Sequence, residues 1–230
     1  ELCFSCGLER IDREVGCCVF CSDSLKPFSP EKLESQVFLN GERDIALHIG
    51  FIFVKNNPIQ TLLHALKYQG NFQIARFLAD QLSKRYYEEI QQVEGFIAVP
   101  IHVRKRFDRG YNQCALMVNH LCQQFNKNSY STLLQKVVNN ASQTKKNKEE
   151  RRLNVENSYW VSPKIKQFSH LGIVEDVLTT GATLRAITQE IKRINPTIKL
   201  SFFVVNKYLN FIANPYLPSS LFNILKKEYS

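Results

Sequence analysis

The chain has few acidic residues and no long hydrophobic run, and each shortage narrows the class of protein. The longest strongly apolar stretch, Leu47 to Val54, is far shorter than the roughly 20 residues that span a bilayer. The sequence therefore predicts no transmembrane segment of its own. The single methionine is Met117 and position 1 is a glutamate, which leaves open a trimmed native start and a lost targeting segment.

Apolar residues nonetheless make up 44% of the 230 residues, which is enough for a core and excludes wholesale disorder. This length suits one mid-sized domain with an appendage, or two small domains. The 30 basic residues outnumber the 21 acidic ones, and such an excess suggests a polyanionic partner. Between Pro100 and Arg152, eleven lysines and arginines accompany three acids, so phosphate is expected to bind in the middle of the chain.

Five of the seven cysteines lie within the first 21 residues. They include two CxxC pairs, Cys3 with Cys6 and Cys18 with Cys21, and two such pairs supply the four thiolates typical of a structural Zn²⁺ site. Cys17 adjoins the second pair, so the third ligand is either Cys17 or Cys18. The alternative is a disulfide-stapled secreted module, against which the odd number of cysteines and the lack of a signal peptide argue.

Strands alternate with helices along most of the chain. Strand patterns cover 45–54, 95–99, 133–138, 171–174 and 197–205, and helix patterns cover 57–68, 72–86, 112–125 and 182–194. This alternation predicts an α/β fold with a mainly parallel sheet flanked by helices. We divide the chain into a zinc-binding module (1–25), a linker (26–44), an α/β domain (45–205) and a tail of unclear role (206–230). Loops are expected after Pro100 and over 139–157, and Trp160 is expected in the core.

The segment from Gly172 to Leu184 carries the clearest functional signal. A buried strand ends in two adjacent carboxylates, Glu175 and Asp176, and a turn rich in threonine and glycine then opens a helix. Backbone N–H groups and the dipole at such a helix start favour phosphate, and a glycine lets the backbone approach the anion closely. The predicted phosphate-binding residues are Thr179, Thr180, Gly181, Ala182 and Thr183.

The two carboxylates lie where they can accept hydrogen bonds from the hydroxyls of a ribose attached to that phosphate. The alternative is an acidic strand end followed by a threonine N-cap. A cap alone needs only one threonine and no carboxylate pair, so the ribose-phosphate interpretation accounts for more of the pattern.

The same segment resembles the ribose-phosphate loop of type I phosphoribosyltransferases, with Glu175 where many members have aspartate. Further stretches resemble the ComF/ComFC family, which also has an N-terminal double CxxC. VPIHVRKRFDRGYNQ at 99–113 resembles its VPVP…R…RGFNQ stretch, LKYQG at 66–70 its KYxG, and SQT at 142–144 with RRLNV at 151–155 its SQT…R…NV loop. The resemblance runs from about residue 3 to residue 205.

The resemblance implies a zinc module joined to a phosphoribosyltransferase-type domain that binds phosphoribosyl pyrophosphate (PRPP) with Mg²⁺. In such a domain Glu175 and Asp176 would be the catalytic carboxylates. The cations beside the pyrophosphate would be Lys67, Arg104, Lys105 and Arg109. Natural competence, where incoming single-stranded DNA is handled in the cytoplasm, would be the process, and an inner-membrane DNA-uptake channel or a helicase would be a further partner.

Two alternatives to DNA uptake stay open: an active phosphoribosyltransferase in nucleotide metabolism, and a protein that senses PRPP without turnover. The sequence does not reveal the acceptor base or amine. Single-stranded DNA is favoured by two basic clusters, Arg104 to Arg109 and Lys145 to Arg152, which flank the predicted carboxyl edge of the sheet. Phe107 and Tyr111 lie within the first cluster or just after it, where they either stack on bases or anchor the loop on the core.

Overall fold

A five-stranded parallel sheet organises the protein. The computed structural model describes residues 2–9, 16–25, 27, 44–53, 57–137 and 158–208. In chain order its strands are β1 (Ile45–Phe53), β2 (Gly95–Ala98), β3 (Asn128–Ser129), β4 (Leu134–Lys136), β5 (Tyr159–Val161), β6 (His170–Leu178) and β7 (Lys199–Tyr208). The main sheet has the order β1–β7–β6–β2–β3, and each neighbouring pair is parallel. The predicted α/β fold with a mainly parallel sheet is therefore confirmed.

Helices cover both faces of this sheet. They are α1 (Val19–Asp23), α2 (Pro58–Tyr68), α3 (Phe72–Arg85), α4 (Tyr87–Gln92), α5 (Val103–Arg109), α6 (Gln113–Phe125) and α7 (Ala182–Ile194). Helices α2, α3 and α6 pack with Phe203 and Val205 of β7, whereas α7 packs with Phe202 and Val204. The run of apolar residues in β7 follows from this arrangement, because a strand covered on both faces buries every side chain.

The prediction of a loop after Pro100 is wrong, because Val103–Arg109 forms the helix α5. The His102 side chain caps its start by accepting a hydrogen bond from the Arg104 N–H at 3.2 Å. Gly110 ends it with φ +77°, a left-handed conformation that glycine adopts without steric cost. The strand expected over 133–138 is shorter and lies outside the main sheet, since β4 pairs antiparallel with β5.

The cysteine-rich module packs against α3. Cys3 and Cys17 belong to the same hydrophobic cluster as the buried face of that helix. Gly16 has φ +126°, and a Cβ there would lie 2.4 Å from the ring of Phe77, so this contact requires glycine. The proposed domain boundaries remain predictions. None of the described helices is long and apolar enough to cross a membrane.

Several sequence-based predictions fall outside the described residues. They concern most of the linker 26–44, the expected loop over 139–157 and the tail beyond residue 208. The loop contains the basic cluster Lys145 to Arg152 and the family-like stretches at 142–144 and 151–155.

Candidate functional site

Four cysteine sulfurs converge in the N-terminal module. The sulfur atoms of Cys3, Cys6, Cys18 and Cys21 all lie within 4.8 Å of one another, and those of Cys6 and Cys18 are 3.8 Å apart. Tetrahedral Zn–S bonds of about 2.3 Å would set neighbouring sulfurs about 3.8 Å apart. The backbone N–H groups of Ser5 and Cys18 point at the Cys3 sulfur, at 3.4 and 3.3 Å. This arrangement can hold a metal ion such as zinc.

Cys17 does not belong to this four-sulfur group. Its side chain is buried in the hydrophobic cluster that includes α3, whereas Cys18 lies at the N-cap of α1 and faces the other three sulfurs. The geometry therefore favours Cys18 over Cys17 as the third ligand.

The two predicted carboxylates lie at the carboxyl end of β6, inside the strand rather than after it. Adjacent residues of a strand point to opposite faces, so Glu175 and Asp176 have different surroundings. Asp176 Oδ2 lies 2.5 Å from the ammonium of Lys67 on α2 and accepts a hydrogen bond from the Gln113 side-chain amide at 3.2 Å. Elements far apart in sequence thus fix the orientation of this carboxylate.

Glu175 is 8% exposed, and within the described residues its Oε2 atom has no hydrogen-bond partner. Burial, followed by repulsion from Asp176, raises the pKa of Glu175 to about 8. Its surroundings therefore favour the protonated form of Glu175 near neutral pH. A buried carboxyl oxygen without a partner is costly, and a ligand hydroxyl or a cation would satisfy it.

The threonine-rich turn between β6 and α7 lines a cavity of about 220 Å³ that also contains Glu175. All five predicted phosphate-binding residues, Thr179, Thr180, Gly181, Ala182 and Thr183, are among its lining residues. Gly181 has φ +75° and precedes the first residue of α7. Lys136 of β4 and Tyr159 of β5 complete one wall, so the small antiparallel sheet covers this side of the site.

Sequence reasoning missed Lys207, which supports the turn from below. Its side chain is 2% exposed, and its ammonium donates a hydrogen bond to the Thr179 carbonyl at 3.0 Å. Burial, and then the nearby Arg185, lowers the pKa of Lys207 to about 8. A lysine two residues after the apolar run 202–205 of β7 is the signal that could have found it, because a lysine is rarely buried without a specific role.

Three of the four predicted cations meet the carboxylates in a second cavity of about 210 Å³. Lys67, Lys105 and Arg109 line this cavity together with Glu175 and Asp176. Arg104 is exposed on α5 and is not among the lining residues of either cavity. The two cavities share Lys136, Tyr159, Glu175 and Thr183, so they adjoin. The phosphate turn, the carboxylates and the cations border this pair of adjoining cavities, which we call the groove.

The two aromatic residues of the α5 region have different surroundings. The hydroxyl of Tyr111 donates a hydrogen bond to the Leu66 carbonyl, and its ring packs edge-on against Phe72 at 4.8 Å. Tyr111 thus joins the start of α6 to α2. Phe107 is 90% exposed and makes no such anchoring contact among those found in the described structure.

Comparisons with known proteins find relatives that carry two names, Competence protein F and DNA utilization protein YhgH. The chain is 27% identical over 145 residues to Competence protein F of Haemophilus influenzae, a match that covers 60% of this chain and 63% of that protein. It is 29% identical over 141 residues to DNA utilization protein YhgH of Escherichia coli O157:H7, covering 59% of this chain and 62% of that protein. The Salmonella typhimurium protein of the same name is also 29% identical over 141 residues.

Each match thus spans less than two thirds of the relative's length. No protein-family model matches the chain. Taken with the parallel sheet and the four-cysteine cluster, the matches to Competence protein F and to the DNA utilization proteins support the resemblance of the chain to the ComF/ComFC family.

Proposed function

We propose that the protein acts in DNA uptake, binding single-stranded DNA next to a site for a ribose phosphate such as PRPP. The observation that carries this proposal is the groove of two adjoining cavities, which is lined by the turn Thr179 to Thr183, the carboxylates of β6 and the cations of α2 and α5. The names Competence protein F and DNA utilization protein, given to the relatives, support the biological setting.

The ribose phosphate is expected to bind with its phosphate on the turn that opens α7. This helix has 13 residues, long enough for its N-terminal dipole to favour an anion. The hydroxyls of Thr179, Thr180 and Thr183 can donate hydrogen bonds, and Gly181 keeps a Cβ out of the approach. Lys207 holds the Thr179 carbonyl from the buried side, which fixes the turn before a ligand arrives.

The ribose is expected to lie against the two carboxylates. Glu175 Oε2 is buried and lacks a partner among the described residues, so a ribose hydroxyl would satisfy it. Lys67 and Gln113 orient Asp176 toward the same groove. Mg²⁺ fits this donor set, because it is usually bound by one or two carboxylates together with phosphate oxygens and water, and it would neutralise phosphate charge when bound.

The zinc ion that we propose for the four-cysteine cluster is structural. Four thiolates fill a tetrahedral Zn²⁺ and leave no open position for a reacting group. Such a site requires reduced cysteines, which fits the cytoplasmic location proposed for the protein, because cytosolic thiols are kept reduced.

Single-stranded DNA is expected to bind along α5. Arg104, Lys105 and Arg106 are all exposed on this helix, and the same surface borders the cavity that contains Lys67 and Arg109. A phosphodiester backbone carries a regular series of negative charges. A row of adjacent exposed cations therefore suits a nucleic-acid strand as its ligand better than it suits a compact neutral molecule.

The salt dependence of oligonucleotide binding tests this part of the proposal. We expect the triple variant Arg104→Ala, Lys105→Ala, Arg106→Ala to weaken binding. It should also flatten the slope of log K against log salt by about 2, because each single-strand phosphate contact contributes roughly 0.7. Fluorescence anisotropy of a labelled oligothymidylate measures both quantities.

The matched control is Lys164→Ala, Lys166→Ala, Lys199→Ala, which removes the same charge from exposed residues at the opposite edge of the sheet. This control is expected to change the slope little. Equal slopes for the two triple variants would show that α5 is not the DNA contact, and no binding by the wild-type protein at low salt would remove the DNA hypothesis.

A further inference from the structure

A cavity of about 370 Å³ adjoins the groove on the side of α2 and α5. It shares Lys67, Lys105 and Arg109 with the cavity that contains the carboxylates. Its other lining side chains include Tyr68, Tyr111 and one acid, Asp108. The cavity therefore combines two aromatic rings with an excess of positive charge, and it extends beyond the residues that a ribose phosphate would contact.

Tyr68 forms the aromatic floor of this cavity. It is the last residue of α2 and is 64% exposed. The guanidinium carbon of Arg109 lies 5.1 Å from the centre of its ring, and Arg109 is held in turn by a hydrogen bond of 3.2 Å to the Gln113 side chain. A planar cation over an aromatic ring is a stack that a third planar group can extend or enter.

Tyr111, the second aromatic residue that lines the cavity, is anchored by two contacts. Its hydroxyl donates to the carbonyl of Leu66, two residues before α2 ends at Tyr68, and Phe72 packs against its ring at 89°. Phe72 is itself 54% exposed. An ordered aromatic surface bordered by three cations is the combination by which proteins bind single-stranded nucleic acid without reading its sequence.

We propose that this cavity takes one nucleobase of single-stranded DNA, stacked on Tyr68, while the phosphates on either side of it contact Lys105 and Arg109. The proposal rests on the proposed function, because it requires that the protein binds single-stranded DNA. A free phosphate would use the cations but not the tyrosine rings, whereas a nucleotide of a DNA strand uses both.

This position would connect DNA binding to the ribose-phosphate site through Lys67. The lysine lines the nucleobase cavity and also forms the 2.5 Å ion pair with Asp176. A DNA phosphate that attracts the Lys67 ammonium would weaken its hold on the carboxylate, so the two ligands are expected to influence each other's binding.

The experiment measures the affinity of the wild-type protein and of Tyr68→Ala for two oligomers of equal length and charge. One is an oligothymidylate and the other is a fully abasic deoxyribose-phosphate strand. Loss of one stacked base is expected to weaken oligothymidylate binding by about fivefold or more. Binding of the abasic strand and the salt slope should stay unchanged, because no charge is removed. Tyr68→Phe, which keeps the ring, should bind the oligothymidylate like the wild type.

Tyr87→Ala is the matched control, because Tyr87 lies on α4 and is 53% exposed but lines none of these cavities. Suppose that the wild-type protein binds the oligothymidylate but Tyr68→Ala and Tyr87→Ala bind it with equal affinity. This result would overturn the stacking site and leave the proposed function standing. Failure of the wild-type protein to bind either oligomer would overturn both.

Discussion

Freshly purified protein is expected to contain one zinc ion per chain, and Cys18→Ala is expected to lose it. Structural zinc contributes about 10–16 kcal/mol of apparent binding free energy in small thiolate modules, where metal binding and folding are coupled. Removal of one of the four sulfurs that lie within 4.8 Å of each other should therefore release the metal and unfold the N-terminal module. Elemental analysis of protein purified in metal-depleted buffer measures the zinc content directly.

Cys17→Ala is the matched control for this prediction, because it removes the neighbouring thiol and keeps a small apolar side chain in the buried position. The Cys17→Ala protein is expected to retain full zinc, since the Cys17 sulfur lies outside the four-sulfur group. If Cys17→Ala lost zinc and Cys18→Ala retained it, Cys17 rather than Cys18 would be the third ligand. If the wild-type protein contained no zinc, the proposed metal site itself would be contradicted.

Glu175→Gln is expected to stabilise the protein increasingly as the pH rises from 5.5 to 8. The pKa of Glu175 is raised from 4.5 to about 8 in the folded protein, so the folded state binds more protons than the unfolded state in this interval. The stability contribution of Glu175 must then fall as pH rises. The stability difference between Glu175→Gln and wild type should grow by about 2–3 kcal/mol over this range, measured by chemical denaturation at each pH.

The pH interval of this measurement ends at 8 because, above pH 8, Lys207 changes the stability of the protein in the opposite direction. The pKa of Lys207 is lowered from 10.5 to about 8, so its contribution to stability rises with pH between these values. Glu94→Gln serves as the control carboxyl, since hydrogen bonds from Ser169 and His170 lower the pKa of Glu94. Its stability loss should be constant from pH 5.5 to 8. A Glu175→Gln difference that is equally constant would show that Glu175 is ionised throughout.

A residue that destabilises the folded protein near neutral pH calls for a functional reason, because stability and function often conflict at binding sites. A hydrophobic side chain at position 175 would remove the unpaired Oε2 atom. The destabilisation is accounted for if a ligand hydroxyl or Mg²⁺ contacts this carboxyl in the working protein.

The elements that the sequence predicts best are those whose pattern is local. The alternation of strands and helices, the helix of 182–194 and the turn before it can be read from neighbouring residues, and the structure has them within a few positions. By contrast, α5 carries no apolar period, because none of its residues is buried. It is held by its caps at His102 and Gly110, which a pattern of apolar residues does not detect.

Trp160 shows a different kind of failure. A tryptophan is usually core, yet in β5 the side chains of Tyr159 and Val161 are buried while Trp160 between them is 45% exposed. The alternation of a strand with one buried face decides the outcome. The strand itself was not predicted, because three residues are too few to give a period.

The site was predicted in its chemistry but not in its contacts. Adjacent residues made Glu175, Asp176 and the threonine turn recognisable from the sequence. The ion pair of Lys67 with Asp176 depends on how α2 packs on the sheet, and the support of Thr179 by Lys207 depends on β6 and β7 being neighbours in it. Such pairings join residues far apart in the chain, so a single sequence does not reveal them.

The central claim is that a ribose phosphate binds between the turn that opens α7 and the carboxylates of β6. Calorimetric titration of PRPP with Mg²⁺ into the wild-type protein and into the double variant Glu175→Gln, Asp176→Asn tests it most directly. We expect the wild type to bind, and we expect the double variant to lose about 1.5–3 kcal/mol of binding free energy for each charged hydrogen bond to the ligand. The control Glu88→Gln, Glu89→Gln, which makes two carboxyl-to-amide changes on α4, should bind like the wild type. Unchanged affinity in the double variant, or no binding by the wild type, would contradict the account.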